Sequence, residues 1–148
     1  MFSQIVVGTD GSDTAAEAVA LAVELAQHSG ATLHVVSAYK DAVTSITVAH
    51  VGAVAVPDLT DTTVALKSAS EDMLADVVKQ TEASRVTVQT HAVAGPPADV
   101  LISVAESVGA DLIVVGSKGM KGARRLVGSV PNNVAHRARC HVIIAKTY

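Results

Sequence analysis

The run Leu-Ile-Val-Val at 112–115, stopped by Gly116, constrains this chain more than any other feature. It is short, wholly apolar and mostly β-branched, so it reads as a strand covered on both faces. Such strands belong to parallel sheets, whose crossover connections lay helices on the sheet faces. A glycine-rich stretch follows, with Gly116, Gly119, Gly122 and Gly128-Ser129, and helical spacing resumes at Val130 and Val134. Glycines at a strand end let the backbone approach a ligand and turn its N–H groups outward. Ser129 is a candidate N-cap, which would put the amides of Ser129 and Val130 at a helix N-terminus suited to an anion. Lys118, Lys121, Arg124 and Arg125 lie in the same stretch. A phosphate chain is the simplest ligand for this chemistry; a plain strand-to-helix turn is the alternative. The stretch is not a Walker A loop, because no Gly-Lys-[Ser/Thr] ends it, and Gly116-x-x-Gly119-x-x-Gly122 does not have dinucleotide-fingerprint spacing.

The remaining chain alternates strand and helix signals. Residues 4–8 predict a first strand, ending in the turn Thr9-Asp10-Gly11-Ser12. Ser12 or Asp13 then caps a helix to about His28, with Ala18, Leu21, Ala22, Leu25 and Ala26 at helical spacing and Gly30 as its stop. Residues 31–38 predict a second strand, completing a right-handed βαβ unit. Residues 40–61 show no period and almost no charge, and suit either a flap over a ligand or a poorly ordered insertion. Helical spacing returns over 62–82 through Val64, Leu66, Met73, Leu74, Val77 and Val78. Residues 86–94 predict a third strand, broken by Gly95-Pro96-Pro97. A helix follows, with Val100, Leu101, Val104, Ala105 and Val108 on one face and Gly109 at its end. The central strand comes next, then a helix to about Ala138 and a last strand from His141 to Ala145.

This is an α/β pattern, an open, doubly wound five-stranded parallel sheet with residues 1–148 as one domain. Ligands in such sheets sit at the carboxyl ends of the strands, where the winding reverses. If strands one and four are neighbours, Asp10 and Gly116 face one crevice. Asp10 would then accept from ribose hydroxyls or help hold a divalent ion; otherwise it only shapes its turn.

Charge and composition narrow the partners. All fourteen acidic residues lie in 1–111, whereas the last 37 residues carry seven of the eleven Lys and Arg. The basic excess coincides with the glycine stretch and points to an anionic ligand there, with a solvated basic face as the alternative. A net charge of −3 and only three aromatic residues argue against nucleic acid. No run of about eighteen apolar residues exists to span a bilayer, nothing at the start has signal-peptide character, and Cys140 is the only cysteine, so the expectation is a cytoplasmic protein without membrane attachment.

The sequences Val-Gly-Thr-Asp-Gly-Ser (7–12), Gly-Ala-Asp-Leu-Ile-Val-Val-Gly (109–116) and Gly-Ser-Val-Pro-Asn (128–132) resemble the universal stress protein family, adenine-nucleotide-binding α/β domains, and the likeness spans essentially the whole length. The resemblance implies strand order 3-2-1-4-5. ATP-binding members carry Gly-x-x-Gly, nine residues, then Gly-[Ser/Thr]; here Met120 to Val127, eight residues, separate Gly119 from Gly128-Ser129. The resemblance places nucleotide against Gly8, Thr9 and Asp10 after strand one, the backbone of strand two near Val35 at the adenine edge, and Val115, Gly116, Ser117, Lys118, Gly119, Met120 and Gly122 after strand four. Gly128, Ser129 and Val130 complete the set. It implies ATP with Mg2+ or Mn2+ held mainly by the phosphates, a homodimer through the edge strand 141–146, and an unidentified protein partner.

Three activities fit these readings. The first is a nucleotide-dependent sensor or regulator in stress response. The second is a nucleotide-free dimer acting through protein contacts. The third is a slow ATP hydrolase or phosphotransferase, for which no persuasive base or nucleophile is found and no catalytic residue is assigned. The six histidines show no metal-ligand spacing; His34 reads as structural and His136 as part of a solvated face.

Overall fold

The computed structural model describes residues 1–41, 60–117 and 130–146. They form strand β1 (Gln4–Gly8), helix α1 (Asp13–Ser29), β2 (Thr32–Tyr39), α2 (Thr60–Thr81), a short 3-10 turn (Glu82–Ser84), β3 (Val88–Ala94), α3 (Pro97–Val108), β4 (Leu112–Gly116), α4 (Val130–Arg137) and β5 (His141–Ala145). The strands make one five-stranded sheet in the order β3-β2-β1-β4-β5, every neighbouring pair parallel. The winding runs outward from β1 to β3, then reverses, so the switch falls between β1 and β4.

Side chains alternate across the central strands. Ile5, Val7, Leu33, Val35, Leu112 and Val114 point to the face covered by α1 and α2; Val6, Val36, Ile113 and Val115 point to the face covered by α3 and α4. Full burial of each such side chain contributes about 1.5–3 kcal/mol. Helix α1 approaches the sheet on the small residues Ala18, Ala22 and Ala26, all buried. Its N-cap is Ser12, whose Oγ accepts from the Ala15 N–H at 3.2 Å.

At the amino ends of the strands Asp111 joins three of them. Its Oδ2 accepts from the Ser3 hydroxyl at 2.7 Å, the Gln4 N–H at 2.9 Å and the Ser3 N–H at 2.6 Å. The Asp111 N–H donates to Gln4 O, and its carbonyl accepts from the His141 N–H. Donors that favour the ionised form, the Ser3 hydroxyl foremost, hold this carboxyl down at about 2.

The strand and helix expectations are met within a residue or two, and two details differ. β3 begins at Val88 rather than Val86, because the 3-10 turn ends in Arg85 at φ +58 and the chain straightens only afterwards. In α2, Val64 and Leu66 have helical spacing but are 61% and 39% exposed; the helix buries Ser70, Leu74 and Thr81 instead, farther along. The aperiodic stretch 40–61 lies outside the described residues except at its two ends. Among the described residues no helix is long and apolar enough to cross a membrane.

Candidate functional site

The site is a cleft at the carboxyl ends of the strands, where β1 and β4 diverge. β1 ends at Gly8 because α3 comes too close for a side chain: a Cβ there would lie 3.0 and 3.1 Å from the terminal carbons of Leu101. The turn after it is fixed by its own polar groups. The Thr9 N–H donates to Val36 O at 2.9 Å, and Thr9 Oγ1 accepts from the Gly11 N–H at 3.2 Å. Asp10 Oδ1 accepts from the Ser12 N–H at 3.0 Å. Gly11 has φ +76, and a Cβ on it would meet Met73 of α2 at 3.0 Å, so that position requires glycine on two counts. The outcome is a rigid turn that holds the exposed Asp10 at the mouth of the cleft.

The cleft measures about 670 Å³ including its open mouth, within the usual range for small-molecule sites. Gly8, Thr9 and Asp10 come from the end of β1 and Ala15 from the first turn of α1. Val36 and Ala38 come from β2, Pro97 and Leu101 from α3, Val115 and Gly116 from β4, and Val130 and Pro131 from the start of α4. The walls are apolar, and Asp10 is the one ionisable side chain among the described lining residues. An apolar slot of this kind suits a flat ring, with the carboxylate placed to accept from hydroxyl groups near the opening. α4 opens on the same cleft with Val130 and Pro131; Pro131 carries no N–H, so the Val130 N–H is the one backbone donor these two residues bring, and a first-turn N–H has no acceptor within its helix. Across its flank, Arg137 of α4 donates to Asp99 of α3 at 2.6 Å and ties the two covering helices together.

Of the residues expected from the sequence, Gly8, Thr9, Asp10, Val115, Gly116 and Val130 converge on this cleft. On β2 the cleft is lined by Val36 and Ala38, the first of them adjoining Val35, near which backbone contact is expected; the Val35 side chain itself is fully buried on the opposite face. Ser117 is exposed, and its N–H donates to Ala145 O at 2.8 Å, so this amide extends the β4–β5 pairing. Lys118, Gly119, Met120, Gly122, Gly128 and Ser129 lie outside the described residues. Sequence reasoning missed Ala15, Val36, Ala38, Pro97, Leu101 and Pro131. Strand parity offered a signal for two of them: Val36 and Ala38 share a face, and Val36 is the register partner of Gly8. Among the described residues no cluster of three or more His, Cys, Asp or Glu could hold a metal ion.

Comparison with known proteins places these features in company. The model of the universal stress protein family matches residues 1–146. The universal stress protein Rv1636 of Mycobacterium tuberculosis is 35% identical over 150 aligned residues, covering 99% of this chain and 97% of that protein. The universal stress protein YxiE of Bacillus subtilis is 31% identical, covering 99% of this chain and all of that one. Among solved structures, a universal stress protein crystallised in complex with cAMP is 32% identical with a TM-score of 0.70, covering 97% of this chain and 96% of its own.

Proposed function

This chain belongs to the universal stress protein family, and from that premise we propose that its cleft binds an adenine nucleotide, with ATP as the principal ligand, and that the bound state is what the protein reports as a stress sensor or regulator. The observation that carries the reading is the slot between Val36, Ala38, Pro97 and Leu101, apolar on its walls and open beside Asp10. The base enters the slot, the ribose hydroxyls meet Asp10, and the phosphates lie toward Gly116 and the first turn of α4. The sequence Gly116-x-x-Gly119 to Gly128-Ser129 supplies further backbone donors. Hydrogen bonds to charged groups contribute about 1.5–3 kcal/mol each, so three or four of them support micromolar affinity after ordering costs. Mg2+ or Mn2+ is bridged mainly by phosphate oxygens. The likeness to a relative crystallised with cAMP supports an adenine ligand.

The test is titration calorimetry with ATP, AMP and cAMP against GTP. Adenine ligands are expected at micromolar affinity, and Ala38→Phe, which fills the mouth of the slot, should weaken them at least tenfold. Equal heats for GTP, or no effect of Ala38→Phe, would remove the adenine assignment.

The same reading includes a homodimer formed along 141–146. β5 is an edge of the sheet, paired among the described residues with β4 alone, and its Ile144 is 47% exposed. An unpaired apolar edge is a liability that a second copy removes. Light scattering should show a dimer at micromolar concentration and a monomer for Ile144→Glu; a wild-type monomer contradicts it.

A further inference from the structure

Beneath the cleft, on the face covered by α3, two imidazoles meet within the sheet. His34 of β2 is 3% exposed; its Nδ1 lies 3.0 Å from Nε2 of His91 on β3, and its Nε2 lies 2.7 Å from Oε1 of Gln4 on β1. The ring centroids are 5.2 Å apart. With Oε1 of Gln4 as acceptor, a neutral His34 carries its proton on Nε2 and offers Nδ1 as an acceptor. His91 then donates to that nitrogen from Nε2. The chain Gln4–His34–His91 is satisfied throughout, and Nδ1 of His91, on the half-buried end of the chain, is the ring nitrogen it leaves over.

This arrangement accepts one proton and refuses a second. A proton on Nδ1 of His91 gives an imidazolium that still donates to His34, so both hydrogen bonds survive. A second proton would put N–H against N–H at the 3.0 Å contact, inside the sheet. Among the described residues no carboxylate faces the pair to neutralise the charge. β1 presents Gln4 and Val6 on this face, and β3 presents Gln89 and Val93. α3 presents Leu101, Val104 and Val108, while its acids Asp99 and Glu106 pair with Arg137 and Arg139. Asp111, which accepts from the Gln4 N–H, is engaged by Ser3 and Gln4.

The pair is also joined to the cleft. Val36 lies two residues beyond His34 on the same face, is the register partner of both Gly8 and His91, accepts from the Thr9 N–H, and lines the cleft. At about 3.3 Å per residue, His34 sits roughly 7 Å below Val36. A charge on the pair therefore lies close beneath the cleft.

We propose that His34 and His91 form a single-proton site, and that the charge it gains on mild acidification tightens the cleft's hold on an anionic ligand. The first half stands on the histidine geometry; the second rests on the nucleotide reading of the cleft. Burial lowers the pKa of both histidines, and the charge of His91 lowers that of His34 further, so the proton arrives below the ordinary imidazole range. Phosphates lying toward Gly116 are three strand spacings of about 4.8 Å from β3, so the charge sits roughly 15 Å from them; at an effective dielectric between about 20 and 40 this corresponds to roughly three- to sixfold in affinity.

Two measurements test this. Imidazole NMR of the full chain without ligand, from pH 8 to pH 5, should show His91 taking a proton while His34 keeps its Nε2–H tautomer. Independent titration of both rings in the ordinary range overturns the proposal. Titration calorimetry then uses cAMP, a phosphodiester of constant charge over this range. Binding should tighten roughly three- to sixfold between pH 8 and a pH below the His91 titration seen by NMR in the wild type and stay flat in His91→Gln, with His34→Gln as the second variant. A flat wild type, or the same pH dependence in both variants, overturns the coupling. No cAMP binding at either pH refutes the coupling together with nucleotide binding in this form, and the NMR titration then decides the proton site by itself.

Discussion

Gly8 and Leu101 make the contact on which the cleft is built, and a double-mutant cycle measures it. A methyl at position 8 would sit 3.0 and 3.1 Å from the terminal carbons of Leu101. Carbon atoms prefer about 3.5–4.0 Å, so the leucine must retreat by roughly half an ångström or more. Leu101 is only 4% exposed and has little room to do so. Overpacking of this kind costs about 1–3 kcal/mol, of which the stiffer unfolded chain offsets about 0.4–1 kcal/mol. Gly8→Ala is therefore expected to destabilise by about 1–2 kcal/mol net. Leu101→Ala alone should cost about 2–5 kcal/mol. In the double variant the alanine methyl occupies part of the space the leucine leaves. The double variant should thus be more stable than the sum of the singles predicts, by about 0.5–3 kcal/mol. Urea unfolding with unchanged m-values is the assay. Additivity within about 0.5 kcal/mol would show that the two positions do not press on one another, and the account of why β1 ends in glycine would fail.

Other perturbations address the rest of the fold. The Asp111 carboxyl is held at about 2 against an ordinary 3.8, so its contribution is present above about pH 4 and is lost as pH falls through about 2. Asp111→Asn should lower the thermal midpoint at pH 7, with the gap to wild type closing between those values; a constant gap would contradict the role given to the charge. His34 and His91 are lowered from 6.5, so the unfolded chain binds more protons and stability should decline as pH drops below about 6.5. Denaturant midpoints for the His34→Gln/His91→Gln variant should show a shallower decline, and an identical slope would exclude the pair as its source. Ser12→Ala removes the α1 cap and should cost about 0.5–2 kcal/mol, read by urea unfolding; no change would mean that another group caps the helix.

Much of this architecture was legible in the chain because its signals are local. The buried β-branched runs Ile5–Val7 and Leu112–Val115, the Ser12 cap and the glycine after α1 each act within a few residues. What escaped depends on register or on tertiary packing. Val64 and Leu66 follow the helical period of α2 yet stay exposed. Val35 and Val36 look alike in sequence, and only the pairing of Gly8 with Val36 decides which of them faces the cleft. His34 and His91 are 57 residues apart and meet through the β2–β3 register, so neither announced the other. Pro97 and Leu101 of α3 read as helix formers; their second role depends on where the helix lands on the sheet.

The central claim is that the cleft between β1 and β4 is an adenine-nucleotide site. Its most direct test is to purify the full chain without added nucleotide, denature it, and resolve the released small molecules by anion exchange against nucleotide standards, refilling any empty fraction with ATP and magnesium in a calorimeter. The account predicts a co-purified adenine nucleotide near one per chain, or micromolar binding on refilling. An empty protein that gives no heat with ATP, AMP or cAMP would contradict it and leave the cleft without its proposed ligand.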